Sequence, residues 1–159
     1  MLNNTKSKRK GNNFELKISK ELSNWMFDNP TILSRHQTSG AIKTAWVGDI
    51  VPQKQLPVEW DDFFPLYIEC KSGYKEKLPT FFNFEIINKW LKKCLLDITD
   101  EQNIIFLICQ FTNMRNILLF TNRLLYYNWI LCLNIENVIF YMYNYKNIIS
   151  QPFNNIINL

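Results

Sequence analysis

The segment Phe64-Pro65-Leu66-Tyr67-Ile68-Glu69-Cys70-Lys71-Ser72 constrains this chain more than any other. An apolar run preceded by Pro65 and closed by Ser72-Gly73 reads as a buried strand. Its end is unusual, because a carboxylate and an ammonium follow the apolar residues with one residue between them. Side chains at i and i+2 of a strand share a face, so Glu69 and Lys71 project side by side while Ile68 and Cys70 point the other way. A charged pair leaving a buried strand needs a polar pocket or a cation beside it. On a solvated strand the same Glu-x-Lys spacing is ordinary surface charge; the apolar surroundings favour a site.

A second apolar segment, residues 45–51, contains Gly48-Asp49-Ile50. If the two strands pair, Asp49 comes to stand beside Glu69, and two hard oxygen ligands with a lysine form a donor set for Mg²⁺-assisted hydrolysis. Further upstream, Lys10-Gly11-Asn12-Asn13-Phe14-Glu15 opens an amphipathic helix, with Phe14, Ile18, Leu22, Trp25 and Met26 at helical spacing. On this reading Glu15 falls in the first turn, where a carboxylate complements the helix dipole, and it also faces nearly the same side as the apolar stripe. Residues 32–37 lead into Thr38-Ser39-Gly40. As an isolated pair, Ser39 and Gly40 read as a turn.

Taken in order, Glu15, Ser39-Gly40, Asp49 and Glu69-x-Lys71 resemble the PD-(D/E)XK nuclease superfamily, and within it the archaeal-type Holliday junction resolvases and related phage endonucleases. The resemblance runs from about residue 8 to about residue 121. Gly48 stands where the superfamily name has proline, and the connection from Asp49 to Glu69 is longer than a tight hairpin, carrying Pro52, Pro57, Glu59, Trp60, Asp61 and Asp62.

The resemblance implies an α/β domain with a restriction-endonuclease-like mixed central sheet flanked by helices. It implies DNA phosphodiester hydrolysis with Mg²⁺, or Mn²⁺ in its place, held by Asp49, Glu69 and the main-chain carbonyl of Cys70. Glu15 would complete the acidic cluster directly or through water. Lys71 would orient or deprotonate the attacking water, or stabilise the transition state; as a base it needs a depressed pKa. Ser39 would contact the scissile phosphate or its neighbour. A homodimer acting on branched or junction DNA is implied, since a two-fold enzyme matches a two-fold substrate. The rival readings are a restriction-like, repair or exonuclease member of the superfamily, and a non-catalytic DNA-binding protein of the same fold. His36, the single histidine, is the alternative general base, although a strand residue with apolar flanks is more often structural. Arg35 beside it is a candidate phosphate contact.

At 159 residues with 47% hydrophobic and 15% aromatic content, the chain suits one domain around one core. The net charge of +4 is mild but unevenly spread: Lys6, Lys8, Arg9 and Lys10 cluster before the helix, and Lys17 and Lys20 follow on it. Residues 1–10 therefore read as a basic arm, a flexible solvated tail that also draws in phosphate backbones, with residues 11–159 as the domain. Cys70, Cys94, Cys109 and Cys132 lack metal-site or redox spacing and lie in apolar segments, as small hydrophobes of a reducing compartment. With no apolar signal core and no apolar run of bilayer length, a cytoplasmic, non-membrane location is expected.

Downstream, residues 84–96 place Ile87, Trp90, Leu91, Cys94 and Leu95 on one helical stripe, with Lys89, Lys92 and Lys93 elsewhere. Ile104–Gln110 reads as a buried strand and residues 116–121 as its neighbour after a turn at Thr112-Asn113. A helix between the Glu-x-Lys strand and the next gives a right-handed β-α-β crossover in a mixed α/β sheet. From about residue 122 the chain is rich in Tyr, Ile, Leu and Asn. The alternation at 140–145 suits a strand, and Trp129, Tyr141, Tyr143 and Tyr145 favour core or dimer packing over base stacking.

Overall fold

A computed structural model describes residues 2–36, 46–60, 63–74, 84–112 and 114–156, the side chains of 2–7 and 59 excepted. Ser39 and Gly40 lie outside these residues, as do Asp61, Asp62 and Asn113. The described strands are β1 (Leu33–Arg35), β2 (Ile50–Pro52), β3 (Leu66–Ser72), β4 (Ile104–Gln110), β5 (Leu118–Thr121), β6 (Leu131–Ile135) and β7 (Val138–Asn144). They form one sheet in the order β1-β2-β3-β4-β5-β7-β6. Among the described residues four α-helices accompany it: α1 (Leu2–Phe27), α2 (Glu85–Asp97), α3 (Tyr145–Ile149) and α4 (Phe153–Ile156). β3 and β4 run parallel, from Leu66 opposite Ile104 to Ser72 opposite Gln110, with α2 between them in sequence, and the other pairings are antiparallel.

The period-2 alternation of β3 divides the core into two layers. Leu66, Ile68 and Cys70 pack with Phe14, Ile18 and Leu22 of α1 and with Tyr145, Ile148 and Phe153 of the carboxyl-terminal helices. Tyr67 belongs to the other layer, with Ile87, Trp90, Leu91 and Cys94 of α2 and with Ile105 and Leu107. Each fully buried Ile, Leu or Phe contributes about 1.5–3 kcal/mol, so the two central strands, buried almost throughout, anchor the domain. The result is a single α/β domain with a mixed central sheet flanked by helices, consistent with a restriction-endonuclease-like architecture.

Several expectations need correction. α1 begins at Leu2, not near Lys10, so Glu15 is a mid-helix residue and residues 2–10 are helical. Gly11-Asn12-Asn13 resembles a helix start, yet one interior glycine costs only about 1 kcal/mol, and the lysines and arginine ahead of it are good helix formers. The Asp49 segment is also less regular than expected, since strand pairing begins at Ile50. Cys132 is exposed on β6, unlike the other three cysteines.

The carboxyl-terminal part completes the sheet. β6 and β7 form a hairpin whose turn residues Glu136 and Asn137 have φ of 50° and 66°. Those values suit the tight turns that match strand twist, but without glycine the turn carries a weak sequence signal. The end of the chain then returns to α1. Trp25 Nε1 donates to the Gln151 carbonyl at 2.7 Å, and its ring meets Phe153 edge-on at 4.8 Å.

Candidate active site at the end of the central strand

Asp49 is delivered to β3 by a glycine. Gly48 has φ +117°, and a Cβ there would fall 2.8 Å from the Ile68 carbonyl oxygen. Only glycine lets the chain approach β3 this closely, which accounts for the residue found where the superfamily name has proline. Asp49 N donates to the Ile68 carbonyl at 2.8 Å, and its carboxylate Oδ2 accepts the Cys70 N–H at 2.8 Å. The Asp49 side chain is thus tied to the residue between Glu69 and Lys71. On the other flank His36 N donates to the Asp49 carbonyl at 2.7 Å, and His36 Nδ1 lies 3.2 Å from the Gly48 carbonyl oxygen. These contacts brace the backbone around Asp49.

Gln102, which the sequence did not single out, fixes the same segment from the far side. It is fully buried. Its Oε1 accepts the Val47 N–H at 2.6 Å, and its Nε2 donates to the carbonyls of Val47 at 3.0 Å and Leu66 at 2.9 Å. One side chain therefore joins the approach to Asp49 to the start of β3.

Glu69 and Lys71 share a face of β3 and pair directly, Lys71 Nζ with Glu69 Oε1. Glu69 is only 5% exposed. Its other oxygen, Oε2, lies 3.3 Å from the Tyr67 hydroxyl, which is also 3.2 Å from Asp97 Oδ2. Lys93 of α2 closes the ring, 3.0 Å from Asp97 Oδ2 and 3.6 Å from Glu69 Oε1. Tyr67 could have been found by extending the strand alternation backwards by two, and Lys93 and Asp97 by their i, i+4 spacing.

The electrostatics mark a crowded acidic site. Burial, followed by the charge on Glu69, pushes the Asp49 carboxyl up to about 6, against the pull of the Cys70 N–H and Lys71. Glu15 is also raised, chiefly by burial, and it feels the charges of Arg35, Lys71 and Glu69. Burial would lower the Lys71 ammonium, but its hydrogen bond to Glu69 and the charges of Glu69 and Asp49 outweigh this and hold it above its ordinary value. This shift runs opposite to the depressed pKa that a lysine base requires.

Glu15 pairs with Arg35 of β1, Oε2 to Nε, at 3.0 Å. Arg35 is thus engaged with a carboxylate beside the site. Lys8, Arg9, Lys10 and Lys17 are exposed on α1, and the Lys6 side chain lies outside the described residues. A cleft of about 350 Å³ opens between α1 and the exits of β3 and β4, lined by Lys10, Asn13, Lys17, Ser72, Gly73 and Thr112 among others. It gives the helix lysines a concave surface on the α1 side of the β3 exit.

The buried Glu69 carboxylate and the partly buried Asp49 carboxylate, with the Cys70 main-chain carbonyl between Glu69 and Lys71, are a hard-oxygen donor set suited to Mg²⁺ or Mn²⁺. Among the described residues, no three His, Cys, Asp or Glu side chains converge as a metal-holding group. Mg²⁺ does not require one, since it is usually bound through one or two carboxylates and keeps several waters. The residues present fit such an ion. Among the described residues, no helix is long and apolar enough to cross a membrane.

The model of the family described as "Phage putative PDDEXK endonuclease" matches residues 6–156. No curated protein and no solved structure matches the chain significantly.

Proposed function

The chain belongs to this phage PD-(D/E)XK endonuclease family, and we propose that it is a metal-dependent DNA nuclease working through Asp49, Glu69 and Lys71. The observation that carries the reading is the hydrogen bond from Cys70 N–H to Asp49 Oδ2. It joins the irregular Asp49 segment to the Glu-x-Lys residues of β3. Asp49, Glu69 and the Cys70 carbonyl would hold one or two Mg²⁺ or Mn²⁺ ions. When bound, a divalent cation lowers the pKa of coordinated water and offsets negative charge on the phosphoryl group.

The protein's own residues supply the rest. Lys71, paired with Glu69, serves as a hydrogen-bond donor to the phosphoryl oxygens and stabilises the charge that builds on them. Glu15 adds negative potential and a water-mediated contact, and Ser39 contacts the scissile phosphate or its neighbour. Lys6, Lys8, Arg9 and Lys10, with Lys17 and Arg35, attract the backbone that the carboxylates repel. Junction resolution by a homodimer is the narrower form of this proposal, and the family description supports endonuclease activity without choosing it.

A substrate panel of four-way junction, duplex, nick, flap and single strand, each with Mg²⁺, tests both levels. Cleavage of at least one substrate is expected, with loss of cleavage in Glu69→Gln while DNA binding persists or tightens. Lys71→Ala should lower turnover even at saturating Mg²⁺. Symmetric paired nicks across the junction would favour the resolvase form. Full activity of Glu69→Gln at saturating Mg²⁺, or no cleavage of any substrate, would overturn the assignment.

A further inference from the structure

We propose that Tyr67 is a positioning residue for the metal-ligating Glu69, with Asp97 and Lys93 of α2 deciding where its hydroxyl proton points; the inference rests on the metal-dependent reading above. Tyr67 precedes Glu69 by two residues on the same face of β3 and is 1% exposed. Its phenol stands between two carboxylate oxygens, 3.3 Å from Glu69 Oε2 and 3.2 Å from Asp97 Oδ2. A phenol has one proton and serves one acceptor at a time. Both separations exceed the ~2.7–2.8 Å of a well-formed O–H···O bond, as expected of a donor shared between competitors.

Lys93 biases that competition. Its ammonium lies closer to Asp97, at 3.0 Å, than to Glu69, at 3.6 Å. With Asp97 engaged by a cation, the phenolic proton is left to Glu69. Lys71 takes the opposite Glu69 oxygen, Oε1. Glu69 is thus held at both oxygens, and its carboxylate plane is set before a metal arrives. Partners of this kind, outside the ligand set, typically change metal affinity by about 10–100-fold when removed, because the ligand must then be ordered on binding. The hydroxyl is a small part of a buried ring whose packing against α2 does not need it.

Calorimetric titration of Mn²⁺ into the full chain without DNA tests the proposal. Tyr67→Phe keeps the ring and should weaken Mn²⁺ binding about 10–100-fold. The Mg²⁺ concentration for half-maximal cleavage should rise by the same factor, while turnover at saturating Mg²⁺ changes by less than about threefold, a split that a purely structural role would not produce. Asp97→Asn weakens the competing acceptor and should leave Mn²⁺ affinity within about threefold of wild type. Wild-type affinity in Tyr67→Phe, or equal losses in both variants, would overturn the proposal. Failure of Tyr67→Phe to fold would assign the hydroxyl to stability and overturn it too. A wild-type chain that binds no Mn²⁺ would contradict this inference and the metal reading together, whereas binding that Tyr67→Phe leaves unchanged contradicts the inference alone.

Discussion

Asp49 shows at the scale of one side chain what the site costs the fold. Burial and the neighbouring Glu69 raise its carboxyl from 3.8 to about 6. A folded-state pKa above the unfolded value means that the native protein binds the proton more tightly. The stability this supplies is fully present below about pH 3.8 and is lost as the pH rises through about 6. Asp49→Asn removes the charge yet keeps an acceptor for the Cys70 N–H, so in chelator at pH 8 it should be more stable than wild type by about 1–3 kcal/mol. Urea unfolding checks this, and an equal or lower stability would contradict it. Cleavage should show the complementary acid limb, rising through about pH 6, with its midpoint moving lower as Mg²⁺ is raised because metal and proton compete for the carboxylate. The partnership of Glu69 and Lys71 was legible in the sequence from the strand period alone. The place of Asp49 was legible only on the condition that the two strands pair, because it depends on a single register, Ile50 opposite Ile68.

At the scale of elements, legibility follows burial. β4 coincides with its expected span, and α2 lies within a residue of it, because both carry long apolar patterns. β1 and β2 are three residues each, too short for any period to register, and long-range polar contacts hold them. Ser23 Oγ accepts the N–H groups of Ile32 and Leu33, each at 3.0 Å, fixing the entry into β1. Gln102 does the same for the approach to β2, and nothing in its sequence neighbourhood signals this, since its partners lie 36 and 55 residues away. Gln102→Ala leaves the Val47 and Leu66 backbone groups unsatisfied, at about 1–3 kcal/mol for each buried group. A loss of about 3 kcal/mol in urea unfolding is expected, with reduced cleavage as the Asp49 segment loosens. Wild-type stability would show that water replaces the side chain without penalty.

For the molecule as a whole, the carboxyl-terminal residues matter more than their sequence suggested. β7 pairs along β5 from Leu118 opposite Asn144 to Thr121 opposite Tyr141, while Tyr145, Ile148, Phe153 and Ile156 share the core layer of α1 and Cys70. Tyr143 and Tyr145 are fully buried, whereas Tyr126 and Trp129 are exposed, a division that composition does not reveal because all sit in equally aromatic sequence. A chain ending at residue 130 would bare the β5 edge and one face of α1, and it should be insoluble or unfolded by circular dichroism; a soluble, cooperatively melting fragment would contradict that. The central claim is that folding brings Asp49 from the β2 side and Glu69 from β3 to a shared cation. Calorimetric titration of Mn²⁺ into wild type, Asp49→Asn and Glu69→Gln tests it most directly. Each substitution alone should weaken binding by more than the about 10–100-fold of an outer partner. Titration of either variant with the wild-type affinity would contradict it.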